Sequence, residues 1–255
     1  MSQYIFFPAN NSAVLRATAE ALKSRGYGVV DHPCASVTHL LLPVPSFEAN
    51  GAIKGGGSLE ALLAQLPETV SITGGFLSGD RLTGRRCFDL MQDPTYVAEN
   101  AAITAHCALC LAMEKLPVTL SGCPVLILGW GRIGKCLAKL LQALGAAVTI
   151  AARKQEDRAM AHALGYQAYD LNQLDRELNH YRLIFNTIPA PVLSSEQILH
   201  CRNNCLKIDL ASQVGIAAQD VLWARGLPGK DAPESSGKLI AKTIIRLIGR
   251  KEQQV

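Results

Sequence analysis

Residues 124–134 read PVLILGWGRIG, an apolar run followed at once by a G-x-G-x-x-G pattern. The run Pro124–Leu128 has the composition of a parallel strand that is buried on both faces. Behind the glycines, residues 132–144 have helical periodicity and end at Gly145, after which Ala147–Ala151 forms a second apolar run. This order predicts a βαβ unit.

Each glycine of this pattern has a mechanical role when the pattern joins a strand to a helix. Gly129 makes the tight turn, Gly131 lets the backbone approach a pyrophosphate, and Gly134 lets the helix and strand pack closely. The phosphates of a dinucleotide then meet free amides and the positive end of the helix dipole. The alternative is a packing turn without a ligand. The predicted cofactor contacts in this turn are Gly129, Trp130, Gly131, Arg132 and Ile133.

The end of the second strand bears on the choice between NAD and NADP. NAD enzymes usually carry Asp or Glu there, about 20 residues after the glycines, whereas this chain reads Ala151-Ala152-Arg153-Lys154. A carboxylate would repel a 2′-phosphate, whereas Arg153 and Lys154 could neutralise one. We therefore predict NADP(H) in preference to NAD. The alternative is that both cations are solvated charges at a helix start.

The alternation of apolar runs and helical segments continues along the chain. The runs Leu183–Asn186, Leu206–Leu210 and Val221–Ala224 predict a doubly wound parallel sheet, the Rossmann arrangement. Shorter runs precede it, beginning with Tyr4–Phe7 and the amphipathic stretch Ser12–Arg25. We predict an α/β N-terminal domain at 1–93 on the substrate side, an interdomain helix at 94–116, an NADP-binding Rossmann domain at 117–231, and a C-terminal helix at 232–255 that packs back on the N-terminal domain.

Composition narrows the class of protein further. The net charge is only +4 and the basic residues are scattered, so nucleic-acid binding is not predicted. No export signal is visible and the apolar stretches are too short for a membrane span, which predicts a soluble, cytoplasmic protein. The pairs Cys107/Cys110 and Cys201/Cys205 lack a second ligand pair, so we predict core thiols and no metal.

The loops that follow the later strands are the expected ligand-binding positions of a doubly wound sheet. They are Asn186–Ala190, Asp209–Ser212 and Gly226–Lys230. The alternative is that Asn186 and Asp209 simply cap turns and that residues 228–229 form an ordinary loop. The predicted cofactor contacts here are Thr187, Ile188, Pro189, Asp209, Ala211 and Ser212.

Candidates for the catalytic acid or base are His106, Asp209 and Lys230. His106 lies on the predicted interdomain helix, near Thr104, where a cleft between the domains is expected, and imidazole titrates near neutral pH. The alternative is a satisfied core histidine. No Ser/His/Asp series or paired-carboxylate motif is present to favour one candidate.

Several segments together resemble the A-subunit family of dipicolinate synthase. The resemblance runs from about Asp89 to Ile248, and the first domain matches only in layout and at Leu42-Pro43-Val44. The segments are Asn100…Thr104, the glycine pattern followed by Ala152-Arg153-Lys154, Phe185-Asn186-Thr187-Ile188-Pro189, Ile208-Asp209-Leu210-Ala211-Ser212 and Gly226-Leu227-Pro228-Gly229-Lys230-Asp231-Ala232-Pro233.

This resemblance implies an NADP-linked oxidation of a dihydrodipicolinate-type precursor to pyridine-2,6-dicarboxylate during bacterial sporulation. It implies a homo-oligomer, a second flavoprotein-like partner subunit, and a flavodoxin-like N-terminal domain beside the Rossmann domain. Residues 129–133, Arg153 and Lys154 would hold the cofactor phosphates. Residues 187–189, 209–212 and 226–229 would surround the nicotinamide and the heterocyclic dicarboxylate, whose charge Arg225, Lys230 or His106 could meet.

The chain departs from this family at places that bear on the substrate. His106 replaces a carboxylate of the interdomain helix, Gln213-Val214-Gly215 replaces a Pro-Gly-Gly turn, and Arg225 replaces a proline. Two alternatives therefore stay open. One is an NAD(P)-linked 2-hydroxyacid or amino-acid dehydrogenase, and the other is a non-catalytic dinucleotide-sensing or scaffold subunit.

Overall fold

A computed structural model describes residues 4–77, 82–174 and 177–252. The chain divides into two compact units. The first unit comprises residues 1–100 together with 228–255, and the second unit comprises residues 101–227. The unit boundary therefore falls within the helix predicted at 94–116.

The first unit contains a five-stranded sheet in the order β2-β1-β3-β4-β5, and every pairing is parallel. This is the strand order of flavodoxin-like sheets. The fold predicted for the N-terminal domain is therefore confirmed. Its strands are β1 (Ile5–Pro8), β2 (Gly28–Val29), β3 (His39–Leu41), β4 (Ser71–Gly74) and β5 (Cys87–Asp89).

Two helices of the first unit pack on each other although they are far apart in sequence. Helix α1 (Ala13–Lys23) is amphipathic, and the Ser12 hydroxyl accepts a hydrogen bond from an amide of its first turn. Helix α8 (Pro233–Glu252) lies against it, since a Cβ added at Gly237 would lie 2.6 Å from the Cβ of Ala17. Glycine thus allows close helix packing here. The short helix α2 (Leu59–Leu63) lies elsewhere in this unit.

The second unit contains a six-stranded parallel sheet in the order β11-β10-β9-β6-β7-β8. This is the Rossmann order, so the predicted fold class is confirmed. The strands are β6 (Pro124–Leu128), β7 (Ala147–Ala152), β8 (Gln167–Asp170), β9 (Leu183–Asn186), β10 (Leu206–Asp209) and β11 (Leu222–Trp223), and the helices between them are α4 (Arg132–Ala143), α5 (Gln155–Ala163) and α6 (Ser195–Ile198).

Helix α3 (Pro94–Lys115) is the longest helix and runs through the boundary between the units. By length and composition it is apolar enough to cross a membrane, a test that the core helix of a soluble protein also passes. Alanines along one face, at positions 101, 105, 108 and 112, are buried. Burial at this helical spacing is typical of a helix packed within a protein.

Strand β8 and the segment 226–230 differ from the sequence-based expectation. Strand β8 was not predicted, because an edge strand with half-exposed polar residues lacks the apolar run of a central strand. The segment 226–230 was expected as a loop, but α7 (Leu227–Asp231) is helical. The Pro228 carbonyl accepts hydrogen bonds from the Ala232 amide and the Ser236 hydroxyl at 3.1 and 2.8 Å, which joins α7 to the start of α8.

Candidate dinucleotide site

The site lies at the switch point of the second sheet, where β6 is flanked by β7 and β9. Leu128, the last residue of β6, lies opposite Asn186 of β9. Both the amide and the hydroxyl of Thr187 donate to the Leu128 carbonyl at 2.9 Å. Gly129 follows with a φ of +105°, and a Cβ there would lie 2.8 Å from a side-chain carbon of Ile188. The approach of the two strand ends therefore requires glycine at this position.

The residues that follow form what we call the glycine turn, residues 129–134, at the start of α4. A Cβ at Gly134 would collide with the Gly129 carbonyl oxygen, so this glycine keeps helix and strand together. Gly131 caps α4 without a side-chain hydrogen bond, and the first hydrogen bond of the helix runs from the Lys135 amide to the Gly131 carbonyl. Among the described residues, the amides of residues 132–134 consequently have no acceptor.

The space beside Gly131, the residue that precedes these amides, is open. A Cβ built at Gly131 meets no atom within 4 Å. Three unused amides, open space and the positive end of α4 are the features that bind a phosphate group. The glycine turn therefore fits the diphosphate of a dinucleotide.

Trp130 packs beside this turn and not across it. Its indole is 6% exposed and meets the Tyr166 ring edge-on, with the ring centroids 5.6 Å apart. The Lys135 ammonium lies 5.8 Å from the indole centroid. Burial raises the pKa of Tyr166, whose hydroxyl donates to Gln142 at 3.0 Å. A cofactor contact from Trp130 would therefore come from its backbone.

The end of β7 carries the charges predicted to meet a 2′-phosphate. Arg153 and Lys154 are exposed, and Lys154 lies 3.8 Å from the Glu156 carboxylate. Arg158 was not predicted as a site residue, yet its guanidinium donates to the Arg153 carbonyl at 2.6 Å and pairs with Asp170 at 3.0 Å. A helical arginine one turn after a strand end was the only sequence signal for this contact.

The Asp209 loop, residues 209–216, is built around a carboxylate that is 0% exposed. One oxygen of Asp209 accepts from the Ala211 amide at 3.0 Å. The other accepts from Asn186 Nδ2 at 3.0 Å and from the amides of Gly215 and Ile216 at 2.8 and 3.2 Å. A buried carboxylate with four donors positions the loops around it and is poorly placed to transfer protons.

Asn186 completes this network on the β9 side. Its side chain accepts from the Ile188 amide at 2.9 Å and donates to the Ile188 carbonyl at 3.0 Å. The same Asn186 amide group also donates to Asp209. The predicted contacts Thr187, Ile188, Pro189, Ala211 and Ser212 are thus on two loops that one hydrogen-bond network joins. Sequence reasoning placed Asn186 in a candidate ligand-binding loop, with a turn cap as the alternative, and did not find this link.

The three catalytic candidates lie on different elements. His106 is exposed on α3 in the second unit, and Lys230 is exposed on α7 in the first unit. Asp209 is buried at the end of β10. Neither unit by itself brings them together.

The cysteines follow the core-thiol prediction in part. Cys107, Cys201 and Cys205 are buried, whereas Cys110 is exposed on α3. Within residues 4–77, 82–174 and 177–252, no cluster of three His, Cys, Asp or Glu side chains could hold a metal ion.

Comparisons with known proteins first define a class. Residues 110–192 match the NAD binding domain of the D-isomer specific 2-hydroxyacid dehydrogenases. This segment contains β6, the glycine turn and the end of β7. The chain is therefore related to oxidoreductases that bind a nicotinamide dinucleotide.

The comparisons then confirm the more particular resemblance. The chain is 28% identical over 172 residues to the dipicolinate synthase A-subunit of Bacillus subtilis (strain 168), an alignment that covers 64% of this chain and 58% of that protein. The structure of the dipicolinate synthase A-subunit from Bacillus halodurans superposes with a TM-score of 0.85 at 22% identity, covering 96% of this chain and 98% of the other. The transhydrogenase from Sinorhizobium meliloti gives a TM-score of 0.70 at 13% identity, covering 96% and 93%. The chain is a diverged relative of the dipicolinate synthase A-subunit.

Proposed function

We propose that this chain is an NADP-dependent oxidoreductase subunit that oxidises a dihydrodipicolinate-type precursor to pyridine-2,6-dicarboxylate. The observation that carries the proposal is the glycine turn, at the switch point of a Rossmann sheet, where three amides have no acceptor among the described residues and the space at Gly131 is open. The similarity to the dipicolinate synthase A-subunit supports the choice of substrate.

The charges at the end of β7 support NADP over NAD. β7 ends at Ala152, and two exposed cations, Arg153 and Lys154, follow it. The carboxylate of Asp170 at the end of β8 is paired with Arg158. Arg153 and Lys154 would supply the cations for an anionic 2′-phosphate, with Lys154 moving from the Glu156 carboxylate that lies 3.8 Å from it.

Each group of residues has a distinct task in this proposal. The glycine turn holds the diphosphate, and Arg153 and Lys154 hold the 2′-phosphate. Asp209 positions the loops that carry residues 187–189 and 211–212, against which the nicotinamide would lie. When bound, NADP⁺ accepts the hydride that the dihydropyridine loses.

Forming the aromatic ring also releases a proton, which the protein must accept. We assign this task to His106, because it is exposed on α3 and a neutral imidazole has a ring nitrogen that can accept a proton. Lys230 is exposed on α7 in the first unit, and we assign it no task in this step. Asp209 keeps a positioning role because its oxygens already accept four hydrogen bonds.

The Bacillus subtilis relative is one subunit of a synthase, which motivates a proposal about assembly. A second, flavoprotein-like subunit would work with this chain, which would itself form a homo-oligomer in the cytoplasm of a sporulating bacterium. Turnover that appears only when this second subunit is supplied would support this assembly. Cofactor binding without turnover, even with the second subunit present, would instead support a non-catalytic sensing role.

A second candidate function follows from the family match at residues 110–192. A 2-hydroxyacid dehydrogenase would reduce a 2-oxo acid with NADPH or NADH. A panel of 2-oxo acids, followed through NADPH absorbance, separates the two functions. Consumption of NADPH with such an acid, and no oxidation of the dihydrodipicolinate-type precursor, would replace our proposal.

Cofactor binding tests the central claim. We expect the wild-type chain to bind NADPH at least about tenfold more tightly than NADH in calorimetry, since a charge-assisted hydrogen bond contributes about 1.5–3 kcal/mol. Arg153→Gln should remove most of this preference and leave NADH affinity unchanged. Lys139→Gln, an exposed position on α4, is the matched control. Absence of binding to either cofactor at about millimolar concentration would refute the function.

A further inference from the structure

Trp223, at the end of β11, lies beside the Asp209 loop. It pairs in register with Asp209, which places it at the same edge of the sheet as the candidate dinucleotide site. Its indole N–H donates to the Ala211 carbonyl at 3.0 Å, although 47% of the residue is exposed. Large exposed aromatic side chains fixed by a hydrogen bond are typical of binding surfaces.

Arg225 stacks on this indole. Its guanidinium carbon lies 5.1 Å from the centre of the Trp223 ring, a distance typical of cation–π contacts. The residue between them is also fixed, because the Ala224 amide donates to the Asp209 carbonyl at 2.8 Å. The position of the guanidinium is therefore restricted by the Trp223 ring and by the hydrogen bond of the preceding residue, Ala224.

Arg225 makes no ion pair with the residues that the structure describes. In the described part of the chain, no carboxylate lies within ion-pair distance of its guanidinium. Arg158, by comparison, pairs with Asp170 at the end of β8 on the same sheet. A planar guanidinium fork that is held in place and unpaired suits bidentate recognition of a carboxylate.

The position of Arg225 suits a ligand that lies next to the nicotinamide. Adjacent strands lie about 4.8 Å apart, so the end of β11 is roughly 10 Å from the end of β9, about the span of a small ring with its substituents. The loop between them presents the exposed Ser212 hydroxyl, and Trp223 holds that loop through Ala211. This edge therefore offers a cation, a hydroxyl and an aromatic face within one unit.

We propose that Arg225, stacked on Trp223, binds a carboxylate of the substrate, and that the ligand it accepts is a planar cyclic carboxylic acid. The inference rests on the proposed function for the identity of the acid. The carboxylate site itself is inferred from the geometry of Trp223, Arg225 and the Asp209 loop, independently of the proposed function.

The experiment measures acid binding to the full chain saturated with NADP⁺, using pyridine-2,6-dicarboxylate and pyridine-2-carboxylate in calorimetry. Arg225→Gln should weaken binding of the dicarboxylate about tenfold or more, since it removes a charge-assisted pair. It should also reduce the difference between the two acids. Arg225→Lys should recover part of the affinity, and Trp223→Phe, which keeps a ring but loses the bond to Ala211, should weaken binding about threefold to fivefold.

A matched control isolates the effect of the site. Arg202→Gln removes another exposed arginine, in the turn that precedes β10 at the opposite edge of the same sheet. We expect this variant to bind both acids like the wild-type chain. The affinity for NADP⁺ should be the same in the Arg225 and Arg202 variants as in the wild-type chain, which excludes misfolding as the cause of a loss.

The outcomes separate this inference from the proposed function. An Arg225→Gln chain that binds the dicarboxylate within twofold of the wild-type affinity overturns the inference and leaves the proposed function intact. A wild-type chain that binds a 2-oxo acid but no pyridine carboxylate overturns the proposed substrate. The Arg225 site then stands if Arg225→Gln weakens binding of that 2-oxo acid, and falls if it does not. Failure of every acid to bind overturns both.

Discussion

The glycine turn and the Asp209 loop follow strands of the same sheet, at the same edge, and use backbone amides in opposite ways. In the glycine turn, the amides of residues 132–134 have no acceptor among the described residues. In the Asp209 loop, the amides of Ala211, Gly215 and Ile216 all donate to one buried carboxylate. The amides of the glycine turn are therefore available to an external anion. The amides of the Asp209 loop already bind the carboxylate of Asp209.

The two regions therefore contribute differently to the free energy of unfolding and to the free energy of ligand binding. A buried donor without an acceptor costs about 1–3 kcal/mol, which is consistent with the exposure of Gly131 and Arg132 at the start of α4. The Asp209 carboxylate, which is 0% exposed, satisfies its donors within the fold. Substitution of Gly131, where a side chain meets open space, should thus change ligand affinity, and substitution of Asp209 should change stability.

The largest expected effect is on stability at Asp209. Asp209→Ala leaves the side chain of Asn186 and three amides without their acceptor, and we expect the free energy of unfolding to fall by about 3–5 kcal/mol. Urea unfolding followed by circular dichroism measures this change. Asp157→Ala on α5 is the control, with an expected change within about 0.5 kcal/mol. A change at Asp209 as small as that of the control would remove the distinction between the two loops.

An intermediate effect, on affinity alone, is expected at Gly131. The added methyl of Gly131→Ala meets no protein atom within 4 Å, so the free energy of unfolding should change by less than about 1 kcal/mol. Affinity for NADPH should fall about tenfold or more, because the methyl occupies the space through which a phosphate approaches the amides. Calorimetry and urea unfolding on the same preparation measure both quantities.

Gly249→Ala provides the control for Gly131, since a Cβ at Gly249 on α8 also meets no atom within 4 Å. We expect it to leave NADPH affinity unchanged. If the Gly131→Ala chain binds NADPH like the wild-type chain, the open space at Gly131 has no role in binding. The proposed difference between the glycine turn and the Asp209 loop would then be wrong.

The smallest expected effect concerns Asp93, a carboxylate of the first unit. Like Asp209 it accepts from a backbone amide, that of Tyr96, but it also pairs with Arg246 at 2.7 Å. Burial by itself raises the pKa of Asp93, but the hydrogen bonds from Arg246 and from the amides of Tyr96 and Thr95, together with the charge of Arg246, outweigh it and hold this pKa below its usual value of 3.8. The stability that this pair contributes is therefore present at neutral pH and is lost as the pH falls through the lowered pKa.

Replacing Arg246 tests this pH dependence. Arg246→Met should lower the free energy of unfolding at pH 7 by about 1 kcal/mol, because the lost pairing is partly offset. The loss is offset because the substitution also removes Arg246 Nη1, which is buried with no hydrogen-bond partner in the described chain and is therefore costly to bury. The difference from wild type should shrink below about pH 4, and Asp93→Asn should abolish its pH dependence. A difference that grows on acidification would contradict the sign of the pKa shift.

The parts of the fold that could be predicted are those whose signal is local in sequence. Central parallel strands are continuous apolar runs, so β6, β7 and β9 were visible in the sequence. The glycine turn was visible because three glycines at fixed spacing have one common mechanical explanation. β8 was not visible, because an edge strand need not be apolar.

The parts of the site that were missed depend on partners distant in sequence. Asp209 was named as a candidate acid, but its saturation by Gly215 and Asn186 requires knowing how two loops meet. The guanidinium of Arg158 is likewise explained only by its position beside Asp170, on the neighbouring strand. A pattern of residue types indicates which bonds each side chain can make. It does not indicate which partners in the fold already occupy those bonds.

The packing of α8 on α1 has a consequence for how the polypeptide acquires its structure during synthesis. The ribosome releases α1 early and α8 after the whole of residues 101–227. The nascent Rossmann unit can thus complete its sheet while α1 still lacks the helix against which Ala17 packs. Of the two units, the amino-terminal one begins to emerge before the other but completes its packing after it. The apolar face of α1 therefore stays uncovered in the nascent chain, and we expect chaperones to bind there.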